Sequence, residues 1–264
     1  MELTEKISTP IAEPNIQNKV NTDGLLQKKP IATTRIIFMG MFFVSFLIVS
    51  NLTAFKVVEI YLTKDFFINF PAALIFFPLT YFFDDVLTEV YGFKVSRLII
   101  WGGLACSAFV TLFTWIAVQL PASPIWDANT NHGASAYEQV FSGSMRVFLA
   151  SMIAYFFGEF LNSIILARLK VLTAGKYFSL RVMSSTAVGA GIDSIIFCNI
   201  AFWNIMPTRV IWEIIVTLYL IKLAYEFIML PVTYSLTRYL KKADQVDYFD
   251  AQTKFNPFSL KLTD

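Results

Sequence analysis

The stretch FPLTYFFDDVLTEVYG, residues 77–92, places three carboxylates at the edge of a strongly apolar segment. Asp85 and Glu89 are four positions apart, so on a helix they share one face and repel each other. Like charges placed in this way need a cation, a proton or a donor-rich ligand between them. For Asp84 we expect a place at the end of the apolar segment, in contact with water.

Four further ionisable residues lie inside apolar segments: Glu159, Asp193, Lys222 and Glu226. A charged side chain at the centre of a bilayer costs roughly 2.5–3.5 kcal/mol on insertion scales, so such groups face one another, water or a ligand. Lys222 and Glu226 are spaced i,i+4 and could simply pair on one helix face. A purely structural hydrogen-bonding role is equally open for Asp193.

Two asparagines add neutral polar groups to the same segments. Asn162 follows Glu159 by three positions, which gives a second polar stripe on one helix face. Asn51 lies in the run SNLTAFK, residues 50–56. Because an amide both donates and accepts hydrogen bonds, either side chain could contact a polar ligand.

The elements that position these groups are indicated by composition. The chain has 264 residues, of which 56% are hydrophobic and 15% are charged, against about 25% charged in soluble domains. Residues 36–55 and 98–120 carry no charge at all. A helix crosses a bilayer with about 20 apolar residues. The sequence therefore predicts an all-α, polytopic membrane bundle.

Six transmembrane helices are predicted, and their approximate bounds are 35–58, 66–90, 98–120, 146–169, 182–206 and 210–240. Pro71 and Pro78 interrupt the second, which we expect to be kinked or broken. The six helices form one domain, residues 35–240. A flexible tail, residues 1–34, precedes it and a second tail, residues 241–264, follows it.

The distribution of Lys and Arg predicts the orientation. The two tails and the loops after the second and fourth spans, together with the adjoining span ends, hold 16 of these residues, whereas the opposite side holds four. Both termini are therefore expected in the cytoplasm.

Several classes of function lack support in the residues. The net charge of +2 offers no basis for binding nucleic acid. A single histidine, His132, and two cysteines in apolar segments, Cys106 and Cys198, predict neither a metal site nor a disulfide. We find no catalytic constellation and predict neither an enzyme nor a cofactor.

Three runs together resemble the queuosine precursor transporter family, also called the vitamin uptake transporter or YhhQ-like family. They are SNLTAFK at 50–56, FPLTYFFDDVLTEVYG at 77–92 with Arg97 shortly after, and RVMSSTAVGAGIDSIIF at 181–197. The resemblance spans about residues 35–240. The family often has glutamine where Ala190 or Gly191 stands here.

The resemblance implies an inner-membrane importer of 7-deazaguanine bases, with a fold similar to that of vitamin-binding S-components. It places substrate binding first on Asp85, Glu89, Glu159 and Asp193, and second on Asn51, Asn162, Arg181 and Lys222. Asp193 or Glu159 would accept from the guanine edge. Glu89 would assist, or would pair with Arg97 or Arg181 as a cytoplasmic gate.

Two other functions stay open at this point. The chain could be the substrate-binding subunit of an ATP-energised vitamin transporter, although the first span lacks the A-x-x-x-A face on which such subunits dock. It could also be a structural membrane protein, in which case no ligand would stabilise it. The predicted partners are a small deazapurine and the lipid bilayer.

Overall fold

The computed structural model describes residues 30–54, 56–63, 66–130, 133–141 and 145–259. Within these ranges the elements, in chain order, are α1 Pro30–Thr53, β1 Val57–Thr63, β2 Phe66–Pro71, α2 Ala73–Phe76, α3 Pro78–Tyr91, α4 Phe93–Gln119, α5 Pro124–Asn129, α6 Gly133–Phe141, α7 Met145–Leu172, α8 Phe178–Phe202 and α9 Thr208–Asp244. His132 and residues 1–29 of the predicted N-terminal tail lie outside the described residues.

The predicted helical membrane bundle is confirmed. Among the residues that the structure describes, five helical segments are long and apolar enough to cross a bilayer. They lie in α1, α4, α8, α9 and the stretch 133–172, which contains α7. Many large apolar side chains on these helices are exposed, including Phe38, Phe109 and Trp212, as expected for surfaces that face lipid.

The predicted start of the second span is wrong, because the chain forms a β-hairpin there. β1 and β2 pair in antiparallel fashion, with Ile60 opposite Ile68 and Val57 opposite Pro71. Residues 57 and 58, which are predicted to end the first span, belong instead to strand β1 of this hairpin. Aromatic and β-branched residues favour strands, and Pro71 disfavours helical geometry in the residue before it.

The predicted break in the second helix is confirmed. A short helix, α2, ends at Phe76, and α3 begins with Pro78. Proline has no backbone N–H to donate, so it fits the first turn of a helix, where that N–H would have no partner within the helix. Gly92, at φ 86°, then ends α3 and lets α4 begin at once.

α3 is the central helix, and 12 of its 14 residues are buried. It contacts α1, α4, α7 and α9, while α8 packs on α7 and α9. Only 14 residues long, it would extend about 21 Å, less than the apolar thickness of a bilayer. The carboxylates of residues 84, 85 and 89 are thus enclosed by other helices rather than by lipid.

Both described ends of the chain lie at one end of the bundle, which we call the basic end. Arg35 near the start of α1 pairs with Asp244, where α9 ends, four residues beyond its predicted end. The C-terminal segment, residues 246–258, folds back onto the helices there. The Tyr248 N–H donates to the Val90 carbonyl at 3.1 Å, and the Trp101 indole donates to the Pro257 carbonyl at 2.7 Å.

Two glycines let α7 and α8 approach closely beside the polar interior. A Cβ added at Gly189 would lie 2.8 Å from the carbonyl oxygen of Gly158 and 2.9 Å from the Asn162 Cβ. A Cβ at Gly158 would lie 2.8 Å from that of Asp193. Small residues at helix contacts allow such packing in membranes.

Gly189→Ala is therefore expected to lower the free energy of unfolding by about 1–3 kcal/mol, because the added methyl group forces the two helix backbones apart. Gly102→Ala is the control: a Cβ there meets no heavy atom of the described residues within 4 Å. It should leave stability unchanged or raise it by up to about 1 kcal/mol. Unfolding of both purified variants in detergent checks this, and equal changes would contradict the packing argument.

Candidate functional site

A cluster of five buried carboxylates occupies the interior of the bundle, and we call it the central acidic cluster. Its members are Asp84 and Asp85 on α3, Glu159 on α7, Asp193 on α8 and Glu226 on α9. The first three repel one another electrostatically, and Glu226 repels Asp85. Lys222 is the cation that pairs within the cluster. Such an excess of buried negative charge requires protons or hydrogen-bond donors.

Asn162 connects the two neighbouring aspartates of α3. Its amide nitrogen lies 2.7 Å from Asp85 Oδ1 and 3.3 Å from Asp84 Oδ2, and its carbonyl oxygen lies 3.5 Å from the Thr186 hydroxyl. The second oxygen of Asp85, Oδ2, is buried and has no hydrogen-bond partner among the described residues. Asp85 Oδ2 can therefore accept a hydrogen bond from a ligand.

The expectation that Asp84 lies in water is wrong. Its side chain is buried and accepts hydrogen bonds from Ser96 on α4 and from Ser163 on α7, the latter at 2.6 Å. Helical geometry turns Asp84 about 100° from Asp85, toward these hydroxyl-bearing helices. The two adjacent aspartates thus have different surroundings.

Glu159 also keeps one acceptor oxygen without a donor. The Thr80 hydroxyl lies 2.8 Å from Glu159 Oε1, whereas Oε2 is buried and has no partner in the part of the chain that the structure describes. The hydroxyl of Tyr81 is likewise buried without a partner among these residues. A Cβ added at Gly158 would meet both Tyr81 and Asp193, so these two side chains border the same close contact.

Asp193 and Lys222 form an ion pair between α8 and α9. The Lys222 ammonium also lies 4.8 Å from the centre of the Phe77 ring. The alternative i,i+4 pair of Lys222 with Glu226 is not formed, and Glu226 Oε1 is buried without a partner in the described ranges of the chain. Because this ion pair joins two helices, Lys222 holds α9 against α8.

Glu89 belongs to a separate charge network at the basic end. Arg181 donates to both of its oxygens, at 2.5 and 3.1 Å, and Lys241 donates to one of them at 2.6 Å. Lys170 lies 3.8 Å from the carboxylate and donates to the Glu89 carbonyl at 2.5 Å. The repulsion expected between Asp85 and Glu89 is thus relieved at Glu89 by three cations.

The C-terminal segment completes this network. Asp247 accepts from Lys170 at 2.5 Å and from Lys241 at 2.9 Å. Partial burial raises the pKa of Asp247, but the attraction of Lys170 and Lys241 outweighs this and holds that pKa below its usual value. Burial raises the pKa of Asp250, which accepts from the Phe93 N–H at 3.0 Å.

Asn51 lies apart from both groups. It bridges Ser107 on α4 and Ser151 on α7, at 3.4 and 3.0 Å. It also lines a cavity of about 50 Å³ together with Ser107 and Thr111, which is room for a few water molecules. Eight substrate-binding residues are predicted from the sequence. Five of them lie in or next to the central acidic cluster, two lie at the basic end, and Asn51 lies at this cavity.

Several residues of the site were not foreseen. The hydroxyl groups of Thr80, Ser96 and Ser163, and the lysines Lys170 and Lys241, all contact the carboxylates. Helical spacing offered one signal, because Ser163 is next to Asn162 and four positions after Glu159. Lys170 and Lys241 were used only to predict orientation.

Comparisons with known proteins identify the family. A family described as "Putative vitamin uptake transporter" matches residues 71–236, which is more than half of the chain. The chain belongs to this family. A relative in Bacillus subtilis (strain 168), named "Probable queuosine precursor transporter", is 30% identical over 200 residues, which are 75% of this chain and 83% of the relative. No solved structure matches the chain.

Membership of the family, together with the apolar helices, makes this protein a multi-pass membrane transporter. The matched residues begin at the end of β2 and continue through most of α9. They therefore include every member of the central acidic cluster and Glu89, whereas the C-terminal segment lies beyond them.

Proposed function

We propose that this transporter imports 7-deazaguanine precursors of queuosine, such as the 7-cyano and 7-aminomethyl bases, and binds them at four members of the central acidic cluster: Asp85, Glu159, Asp193 and Glu226. The name of the Bacillus relative supports the substrate class. Chemistry supports the place, because carboxylates buried between helices must find donors. The proposed substrate supplies donors in pairs.

The observation that carries the proposal is the unpaired Asp85 Oδ2. The Watson–Crick edge of a guanine-like base presents an N–H beside an NH₂ group. Two such parallel donors can bind the two oxygens of one carboxylate, as those of arginine do, or the oxygens of two neighbouring carboxylates. Asp85 Oδ1 already accepts from Asn162, so Oδ2 accepts from the substrate, with Glu159 Oε2 or Glu226 Oε1 taking the second donor.

The remaining functional groups of the base have partners in the same region. Lys222 can donate to the ring carbonyl, since its ammonium already lies over Phe77 and beside Asp193. Tyr81 and Phe77 supply aromatic surface for the flat ring. An aminomethyl cation would pair with a second carboxylate, for which Glu226 and Asp193 are the candidates.

Glu89 and Arg181 act in this proposal as a gate rather than as ligands of the base. The ion pair of Glu89 with Arg181, together with Lys170 and Lys241, closes the bundle at its basic end, beyond Asp85. Asn51 lies toward the opposite end of the bundle, away from this gate. We further propose that the protein lies in the inner membrane with the basic end and both termini in the cytoplasm, in line with the distribution of Lys and Arg.

Uptake of labelled 7-cyano-7-deazaguanine tests the proposal, in cells that cannot synthesise the base. Expression of this chain is expected to produce uptake that unlabelled 7-aminomethyl-7-deazaguanine competes away. 7-Deazaadenine is the matched control, because it has a ring-nitrogen acceptor where the guanine edge has an N–H, and it should not compete. Well-expressed protein without uptake, or equal competition by both bases, would contradict the proposal.

The purified chain alone in proteoliposomes separates this function from the alternative of a subunit driven by ATP. Uptake in the absence of any ATPase supports a self-sufficient transporter. Uptake that appears only when ATPase subunits are added would instead support the subunit. A scaffold protein would show neither uptake nor stabilisation by the base.

A further inference from the structure

Asp84 lies in a buried group of hydroxyls that is separate from the unpaired acceptors of the proposed substrate site. Ser96 contacts Asp84 Oδ1, and Ser163 lies 2.6 Å from Asp84 Oδ2. The two serine hydroxyls are 2.7 Å apart, and Thr88 lies 3.2 Å from Ser163. All four side chains are buried at the junction of α3, α4 and α7.

The hydrogen bonds of this group reveal how many protons it needs. Four oxygen–oxygen contacts join Asp84, Ser96, Ser163 and Thr88, but the three hydroxyls carry only three protons. With Asp84 ionised, one contact is left between two oxygens without a proton. Contacts of this length are otherwise unfavourable, because two lone pairs then face each other.

A proton on Asp84 completes the set. Asp84 Oδ1–H donates to Ser96, Ser96 donates to Ser163, Ser163 donates to Asp84 Oδ2, and Thr88 donates to Ser163. Each proton is used once and every contact becomes a hydrogen bond. The separations of 2.6 Å between Ser163 and Asp84 and 2.7 Å between Ser96 and Ser163 suit hydrogen bonds between oxygens.

The titratable groups around Asp84 on α3 and α7 are themselves acids. Asp85 and Tyr81 face it from α3, and Glu159 and Tyr155 face it from α7. α4 contributes the Ser96 hydroxyl. Among the described residues, no lysine or arginine pairs with Asp84, in contrast to Glu89 and Asp193.

We propose that Asp84 is the proton site that couples import to the transmembrane proton gradient, with Ser96, Ser163 and Thr88 as its shell. This inference rests on the proposed function. One proton enters with each base: the Asp84 carboxylate takes it up on the acidic side and releases it on the opposite side. Asp85 remains the group that accepts from the base.

Asn162 is the link between proton and substrate. Its amide nitrogen lies within reach of both aspartates, at 3.3 Å from Asp84 Oδ2 and 2.7 Å from Asp85 Oδ1. When Asp84 is ionised, it attracts the Asn162 amide. When Asp84 is protonated, the amide donates to Asp85 alone and orients the Asp85 carboxylate toward the base. Protonation and binding of the base thereby favour each other, and by linkage the effect is reciprocal.

The test uses the purified chain in proteoliposomes with labelled 7-cyano-7-deazaguanine, a neutral base, and with the membrane voltage clamped at zero. A gradient of one pH unit is expected to concentrate the base up to about tenfold on the alkaline side, if one proton accompanies each base. A protonophore should abolish this accumulation. A sodium gradient should have no effect.

Asp84→Asn is expected to lose the accumulation and yet to exchange labelled for unlabelled base at equal concentrations on the two sides. Asparagine offers both a donor and an acceptor to the two serines, as a protonated carboxyl does. Infrared spectroscopy supplies a readout apart from transport: wild type should show the C=O stretch of a protonated carboxyl group that Asp84→Asn lacks.

Three results would overturn the inference, and they are distinguishable. Exchange by wild type without any response to the pH gradient removes the coupling and leaves the proposed substrate intact. Accumulation by Asp84→Asn equal to that of wild type assigns the proton to another group. Absence of exchange by folded wild type removes the proposed function itself.

Discussion

Glu89→Ala is expected to lower the free energy of unfolding by about 3–5 kcal/mol, the range observed when one partner of a buried ion pair is removed. Glu89 is fully buried, and its carboxylate holds Arg181 and Lys241 directly, with Lys170 close by. Arg181 and Lys170 are buried as well. Without the carboxylate their charges repel one another, and Asp247 alone cannot neutralise them. Unfolding of the purified variant in detergent measures the loss.

Glu213→Ala is the matched control for this effect, since it removes one carboxylate of the same type. Glu213 pairs with Arg209 at 3.0 Å, but both side chains are largely exposed. An exposed i,i+4 pair contributes about 0.3–0.5 kcal/mol, so stability should barely change. Similar losses in the two variants would contradict a stabilising role for the network at the basic end.

Helices were predictable from the sequence because lipid imposes a strong and local requirement. In a bilayer every backbone polar group must be satisfied within its own segment, so an uncharged run such as 98–120 has few alternatives to a helix. The hairpin was not predictable from the same signal. Residues 66–71 are as apolar as a helical span, and only their pairing with 57–63 makes them a strand.

The carboxylates of the candidate site were also predictable, because the penalty for an ionisable group in an apolar segment holds wherever its helix packs. Their partners were not. Asp193 pairs with a lysine 29 positions later, and Glu89 pairs with Arg181, 92 positions later. Glu226 is nearer to Lys222 in the sequence but does not pair with it, and its Oε1 has no hydrogen-bond partner among the described residues.

Asp84 and Asp85 show why adjacent residues were hard to separate from sequence. Both are acidic and both follow the same apolar run. Spacing places Asp85 on one face with Glu89, but it does not indicate the partners of either aspartate. Their difference arises from what each helix face meets: Ser96 and Ser163 at Asp84, and Asn162 at Asp85. Those contacts depend on the rotation of α3 within the bundle.

Asp85→Asn is expected to weaken binding of 7-cyano-7-deazaguanine by roughly 10- to 150-fold, which corresponds to the 1.5–3 kcal/mol of one hydrogen bond to a charged group. The new side chain can still accept from Asn162 through its oxygen. Its NH₂ group then lies where Asp85 Oδ2 lies and meets the donors of the base with a donor of its own. Binding to the purified protein measures the change.

The same substitution should leave the free energy of unfolding unchanged or raise it, since it removes a buried charge that Glu226 and Asp84 repel. This separates a loss of binding from a loss of folding. Asp250→Asn is the control, because it alters another buried aspartate, at the basic end, and should leave affinity as in wild type. If Asp85→Asn instead binds the base as tightly as wild type does, the donors of the base go to other acceptors, and the assignment of Asp85 fails.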